Sequence, residues 1–307
     1  MNWKTKAGIQ RWLDKIPQGK SIYKLGQTKL GGFKSYRVNS RLAQAQELLQ
    51  AIYTSGNDVV DKHGVEIGTG WVPVIPLIFW LYGVDQVATL DIEHLLDYGL
   101  TIQAARQLLE WAEGNKKNQL QADRLATLRQ YLCNGNASHT LLQDTNITYQ
   151  APADAANTNY PNESIDFIFS NTVLEHIDAS VVYPILEVSW RILKPNGFIA
   201  HLIDMSDHFA HADRSITNIN FLQFEDCAFA QYNSSFLYQN RLRADDWHKA
   251  LLDTGFEIVH WDTNVCQRSL IAAESMTVAS RFKNKSTINL CTVKVVVVAR
   301  KIKYGNS

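Results

Sequence analysis

The residues best able to do chemistry in this chain stand in a fixed order. Val65-Glu66-Ile67-Gly68-Thr69-Gly70-Trp71 ends an apolar run in a Gly-x-Gly pair. Asp91 then closes a second apolar run, Ala88-Thr89-Leu90-Asp91-Ile92-Glu93, 21 residues after Gly70. Glycines at such a point let a ligand approach the backbone where a Cβ would clash. An acid at the end of the next strand can accept both hydroxyls of a ribose. Together they describe a nucleotide-type ligand at the carboxyl ends of two neighbouring parallel strands.

The elements that must position these residues can be read from periodicity. Gly64 to Ile67, Val87 to Leu90, Ile147 to Gln150, Ile165 to Phe169 and Phe198 to Ile203 read as core strands. Ile165 to Phe169 is apolar almost throughout, as a strand buried on both faces must be. Ile9, Trp12, Leu13 and Ile16 fall at helical spacing up to Pro17, and Gly26, Gly31 and Gly32 mark a loop. Leu42 to Ile52, Ile75 to Tyr82, Thr101 to Trp111, Leu120 to Leu132, Val181 to Ile192 and Ala244 to Leu252 read as helices. Pro73 and Pro76 sit in the first turn of the Ile75 helix, where a missing N–H costs nothing. Lys194-Pro195-Asn196-Gly197 stops a helix sharply before a strand. The alternation predicts an α/β fold: a doubly wound, mostly parallel sheet with helices on both faces. Phe256 to Trp261 and Val293 to Arg300 would supply an antiparallel edge.

The chain has 307 residues, 46% of them hydrophobic, enough for one large α/β domain with additions. Its formal net charge is +0, so no overall field favours nucleic acid as a partner. Charge is uneven, however. Met1 to Arg41 holds ten basic residues and one acid, Asp14, a block suited to a solvated face, an anionic lipid surface or a phosphate-bearing substrate. Cys133, Cys227, Cys266 and Cys291 are scattered without a Cys-x-x-Cys pair, which suits reduced cytoplasmic thiols and argues against a zinc ribbon. No metal is expected. The longest apolar stretch, Trp71 to Val84, is interrupted by Pro73, Pro76 and Gly83 and is too short to span a bilayer. The expected organisation is a basic helical extension over residues 1–55 and a single domain over 56–307, with a pocket-forming insertion at about 204–243.

Three more pieces follow the opening motif in order: Asp154 after a short strand, Ile165-Asp166-Phe167-Ile168-Phe169-Ser170-Asn171 running into Thr172-Val173-Leu174-Glu175-His176-Ile177, and the Leu193 to Phe198 turn. The ordered set, covering roughly Val65 to Phe256, resembles the class I S-adenosylmethionine-dependent methyltransferases. That resemblance implies a Rossmann-like fold and S-adenosylmethionine as cofactor. It places Glu66, Gly68, Thr69 and Gly70 around the methionine part of the cofactor, Asp91 and Ile92 at the ribose end, Asp154 near the adenine amino group, and Ser170 and Asn171 along the methyl-transfer site. The family's third small residue is replaced by Trp71-Val72-Pro73. Pro73 also stands where a nicotinamide fingerprint needs glycine. A few short motifs between Asp207 and Arg243 are similar to bacterial methyltransferases of polysaccharide or secondary biosynthesis.

Methyl transfer from a sulfonium is an in-line displacement, and a hydroxyl acceptor must also lose its proton. His208 is the first candidate for the base, oriented by Asp207 or Asp204, followed by His176 and His211. Asp207, Tyr238 and Arg241 are candidate acceptor contacts; the alternative for Arg241 and Arg243 is a salt bridge to Asp245 or Asp246. The chain lacks the Asn/Asp-Pro-Pro-aromatic pattern of base-amino methylation, any Pro-Cys dipeptide, and a three-cysteine radical cluster. The expected reaction is O-methylation of a small-molecule, glycan or natural-product hydroxyl. Two alternatives stand beside it: a lipid-linked precursor met at a membrane through the basic N-terminal helix, and a cofactor-binding protein without turnover. The sequence leaves the oligomeric state open.

Overall fold

The computed structural model describes residues 2–17, 19, 22, 37–114, 119–134 and 140–302. The expected loop at Gly26, Gly31 and Gly32, and Lys20, Lys24, Lys29 and Lys34 of the basic block, lie outside the described residues. Seven strands make one sheet: β1 (His63–Ile67), β2 (Gln86–Leu90), β3 (Ile147–Gln150), β4 (Ile165–Asn171), β5 (Leu193–Asp204), β6 (Phe256–Val265) and β7 (Thr292–Lys301). Their order is β3-β2-β1-β4-β5-β7-β6. Neighbours among β1 to β5 pair in parallel, and β7 runs antiparallel to both β5 and β6. The two late apolar runs therefore close one side of the sheet. The reversed strand is β7, one place in from the rim, because Val295 to Val298 are buried throughout while β6 leaves Glu257 and Asp262 exposed.

The helices are α1 (Trp3–Lys15), α2 (Asn39–Thr54), α3 (Val74–Leu81), α4 (Tyr98–Gly114), α5 (Ala122–Cys133), α6 (Leu141–Asp144), α7 (Ala179–Ile192), α8 (Asp226–Phe229), α9 (Ala244–Asp253), α10 (Gln267–Ala273) and α11 (Thr287–Cys291). On one face α2 to α5 bury Leu48, Ile52, Phe79 and Leu108 against Phe167, Phe169 and Phe198. Phe79 stacks on Phe169 at 4.7 Å between ring centroids. On the other face Ile185 and Leu186 of α7 and Trp247 and Leu251 of α9 cover Ile168, Ile199 and Val297. Strand β4 feeds both cores, which is why its sequence is apolar almost without a break. The Lys194-Pro195-Asn196-Gly197 turn is made by Asn196 in the left-handed region, φ +66°. Lys194 Nζ reaches back to Asp166 at 2.8 Å.

Residues 205–243 carry short turns, α8 and a small core of their own, with Ile219, Phe221, Leu222 and Phe229 packed on Phe282 and Leu290. Helix α1 docks here through its apolar side. The Trp3 ring lies 5.7 Å from those of Phe209 and Phe224 and 4.8 Å from Tyr232. The aromatics of this segment are thus largely packing residues.

Arg243 is fully buried and stitches this segment to the sheet. Its guanidinium donates to the carbonyls of Met205 (2.7 Å), Leu290 (2.9 Å) and Thr292. Burial lowers its pKa to about 10, still cationic at neutral pH. Arg243→Met fills the volume but orphans three buried carbonyls at about 1 kcal/mol or more each. A loss of about 3 kcal/mol in urea unfolding is expected; a variant as stable as the parent would show that these bonds carry no net stability.

Candidate active site

A cavity of about 360 Å3 lies over the carboxyl ends of the central strands, where β1 has β2 on one side and β4 on the other. This is the crevice where a doubly wound sheet binds its ligand. Gly68, Asp91, Ile92, Asp154, Val173 and His176 line it, with Ile177, Val181 and Ile185 behind. A second hollow of about 460 Å3 shares Leu90, Ala153 and Asp154 and continues past Asn157 and Tyr160.

The glycine loop has a steric reason at each of its glycines. Gly68 sits at φ +78°, and a Cβ there would come within 2.6 Å of Val173 Cγ1. Gly70 sits at φ +69°, and its N–H donates to Asp91 Oδ2 at 3.0 Å. The two motifs that stand apart in sequence are therefore bonded directly. Asp91 is also tied by its backbone: its N–H donates to the Gln150 carbonyl (3.0 Å), and its carbonyl accepts from Ala153 (2.8 Å). That second bond sets the loop carrying Asp154, an exposed carboxylate that accepts from the Ala156 N–H at 2.8 Å. Ile92 is 69% exposed at the cavity rim, an apolar surface open to a planar ring.

Two of these carboxyls are held far from their ordinary range. Burial raises Glu66 to about 8, against the pull of the Thr69 hydroxyl that donates to it. Burial likewise raises Asp91 to about 6, although the Gly70 and Thr69 amides and the Tyr149 hydroxyl act to lower it.

The other wall begins at the end of β4. Asn171 Nδ2 donates to Gln44 of α2 at 2.9 Å, and Arg41 of the same helix donates to Thr172 Oγ1 at 2.6 Å. A short 3-10 turn, Leu174–His176, follows. Its Glu175 is 3% exposed, and neither carboxylate oxygen has a hydrogen-bond partner among the described residues. Burial holds Glu175 well above the usual carboxylate range. His176 donates from Nδ1 to the Tyr238 carbonyl at 2.6 Å. Burial, and then the neighbouring His208, lower its pKa to about 4, so the ring is neutral with a free lone pair on Nε2.

His208 packs edge-on to His176 with ring centroids 4.9 Å apart, and His211 stacks on His208 at 5.1 Å. His208 Nε2 stands 3.5 Å from Asp204 Oδ2. Although burial acts to raise Asp204, His208 and Ser206 hold it down at about 2. His211 is half-exposed, and its Nε2 meets Ser206 Oγ at 3.1 Å.

The structure thus brings together Gly68, Gly70, Asp91, Ile92, Asp154, His176 and His208, with Glu66 and Thr69 beneath the glycine loop. Four expected contacts are corrected. Ser170 points away into the sheet, its hydroxyl bonded to the buried His201 Nδ1 at 2.8 Å. Strand alternation sends it to the face opposite Asn171. Arg241 is buried and occupied: it donates to the Phe221 and Phe224 carbonyls and to Asp226, and it stacks on Phe229. Its acidic partner is Asp226 instead of Asp245 or Asp246. Asp207 caps the 208–211 turn, accepting from the Phe209 N–H (2.9 Å) and from Asn220 (3.2 Å), so Asp204 is the carboxylate beside His208. Tyr238 acts through its backbone, and its hydroxyl donates to Asp178 at 3.0 Å. Sequence reasoning missed Arg41, Gln44, Val173 and Glu175; for Glu175, its place beside His176 after a strand end was the available signal.

Comparison with known proteins agrees with this geometry. Residues 101–201 match the family described as the methyltransferase domain. That stretch, about a third of the chain, is similar to a methyltransferase domain and spans α4 to the middle of β5. No curated protein matches it in sequence. Among solved structures it is similar to a methyltransferase from Methanosarcina mazei, with 15% identity over 79% of this chain and 93% of that one, at a TM-score of 0.42. It is also similar to one from Mesorhizobium loti, with 14% identity, coverage of 82% and 96%, and a TM-score of 0.44. A third is geranyl diphosphate C-methyltransferase from Streptomyces coelicolor, with 12% identity, coverage of 85% and 79%, and a TM-score of 0.47. Likenesses at this level carry no argument about substrate. The family's cofactor is S-adenosylmethionine, and the residues present fit it: a cradle closed to any Cβ at Gly68, and an acid tied to the glycine loop.

The raised carboxyls have a consequence for stability. The folded chain keeps protons on Glu66 and Asp91 that the unfolded chain releases near its ordinary values of 4.5 and 3.8. Their contribution is full below those values and is lost as pH rises through about 6 and then about 8. Between pH 5 and 8.5 the ligand-free protein is expected to lose on the order of a few kcal/mol. Glu66→Gln should flatten the upper part of that fall in a Tm-against-pH series; an unchanged slope would exclude Glu66 as its source.

Proposed function

We propose that this protein transfers the methyl group of S-adenosylmethionine to a hydroxyl oxygen of a small-molecule, sugar or natural-product acceptor. The observation that carries the reading is His176 in the cavity wall with His208 and Asp204 packed against it. The bound cofactor supplies an electrophilic methyl on sulfonium. The chain's own residues do the rest. Gly68 and Gly70 leave room for the methionine end, Asp91 accepts from the ribose hydroxyls, and Asp154 and Ile92 border the adenine. The acceptor oxygen must lie in line with the methyl carbon, and a hydroxyl must give up its proton as the new bond forms. The imidazole nitrogens and carboxylate on the His176 side take up that proton, whereas the Val173, Val181 and Ile185 side is apolar and excludes water.

The reading is tested by transfer of labelled methyl to a panel of glycan and phenolic hydroxyls, with the product bond identified by NMR. Asp91→Ala should weaken S-adenosylmethionine binding about 100-fold through lost charge-assisted hydrogen bonds. His208→Ala should keep cofactor affinity and lower kcat by about 100-fold or more. Methyl found on carbon, or a fully active His208→Ala variant, would overturn it.

A second reading, a membrane-surface acceptor, is favoured by α1. Ile9 is 46% and Trp12 62% exposed, beside exposed Lys4, Arg11 and Lys15. An apolar pair among cations suits an anionic interface. Sedimentation with phosphatidylglycerol vesicles should capture the protein, and Trp12→Ala should reduce capture several-fold. Equal behaviour with neutral vesicles would count against this reading. Among the described residues no helix is long and apolar enough to cross a membrane.

A further inference from the structure

We propose that Glu175, His176 and His208 form a binding site for one divalent first-row cation such as Zn2+ or Mn2+. One ligand atom from each residue lies within 4.8 Å of the other two. Ligands on one ion stand about 3 to 4 Å apart at bonds of about 2 Å, so small side-chain rotations complete the set. Two imidazoles and one carboxylate form the borderline donor set that such cations favour over Mg2+ or Ca2+.

The second observation is the state of the donors. Glu175 is buried, and among the described residues both its oxygens lack a hydrogen-bond partner; the amides of Glu175 and Asp204 face it without closing one. His208 Nε2 is buried as well, with the Asp204 carboxylate as its charged neighbour. Buried polar atoms are ordinarily satisfied, and an unpaired buried carboxyl beside two imidazoles has the donors to accept a cation. His176 is already set for the task. A carbonyl can only accept, so the 2.6 Å contact with Tyr238 puts the proton on Nδ1 and leaves Nε2 as the donor. Asp204, 3.5 Å from His208 Nε2, adds further negative charge beside the set. Arg41, the nearby cation on α2, is engaged by Thr172, Asn171 and Gln44 and does not bond Glu175.

His176 belongs both to this set and to the cavity wall. The cation's role, unlike its binding, rests on the proposed function. With the cation bound, the two imidazoles serve as its ligands and the Asp204 carboxylate takes the proton of an acceptor hydroxyl drawn to the cation; the oxygen then bonds the methyl carbon as the carbon–sulfur bond breaks.

The test uses the full chain stripped with chelator and titrated with Zn2+, Mn2+ and Mg2+ by calorimetry, with Co2+ absorption as a spectroscopic check. The Cys133→Ser, Cys227→Ser background removes the exposed thiols. About one Zn2+ per chain is expected, with Mg2+ much weaker. Zn2+ affinity should fall at least ten-fold in Glu175→Gln and in His208→Ala, while S-adenosylmethionine binding stays intact and reports folding. Substoichiometric Zn2+ in the parent, or equal affinity in both variants, would overturn the site. Cation binding without methyl transfer would retire the proposed function and leave the site standing. Methyl transfer unaffected by chelator, with the cation still bound when supplied, would remove its role.

Discussion

The arrangement depends on buried carboxyl groups. Glu66, Asp91, Glu175 and Asp204 are gathered at the carboxyl ends of four strands or the turns after them, and desolvation acts to raise all four. Parallel strands make this possible, since every strand of the central group delivers its last residue to the same rim. Isolated buried carboxylates are costly, and each is managed differently. Asp91 is tied to the Gly70 amide, Glu66 takes the Thr69 hydroxyl, and Asp204 is balanced by His208. Glu175 has no such partner. Arg41 acts on Glu66, Glu175 and His176 alike, one cation set against several acids. A positive ligand at such a rim favours the ionised form of these carboxyls, and a sulfonium is one.

The same burden explains why α2 matters. It packs Leu42, Leu48 and Ile52 into the core over β4 and β5, and it sends Arg41 and Gln44 to the end of β4. Residues from Asn39 onward are therefore part of the domain's helical layer and not a detachable extension. Helix α1 is different in kind. It touches the 205–243 segment through Trp3 and Ala7, against Phe209. Phe209 follows His208 directly, so the packing of α1 bears on the turn that carries the histidines.

Much of this was legible because parallel core strands obey strict rules. Burial on both faces makes Phe167 to Phe169 of β4 and Val295 to Ala299 of β7 unbroken apolar runs, and positive φ favours glycine at positions 68 and 70. Gly68, Asp91 and Asp154 come to one cavity because they lie at strand ends in sequence order. The acceptor half was read less well for physical reasons. Arg241 and Asp207 have the polarity of ligand contacts but spend it on carbonyls, caps and Asp226. Ser170 was misplaced because adjacent strand residues face opposite ways. The Glu175, His176 and His208 cluster joins a turn after β4 to a turn after β5, and no spacing rule links them. Helices α10 and α11 are short and take their order from packing with Phe282, Leu290 and Cys291 rather than from their own periodicity.

The division of labour between the two halves follows from where rigidity is available. Asp91, Gly68 and Gly70 are fixed by sheet registry and backbone bonds, so this rim of the cavity is set by the fold itself. His208 depends on a turn capped by Asp207, braced by Gln239 through its backbone N–H, and covered by α1. Few of those contacts are backbone ladder bonds, so sequence change there alters the acceptor wall without disturbing the sheet. A fold built this way can hold one ligand rigidly on strand ends and another among loops whose side chains can be exchanged.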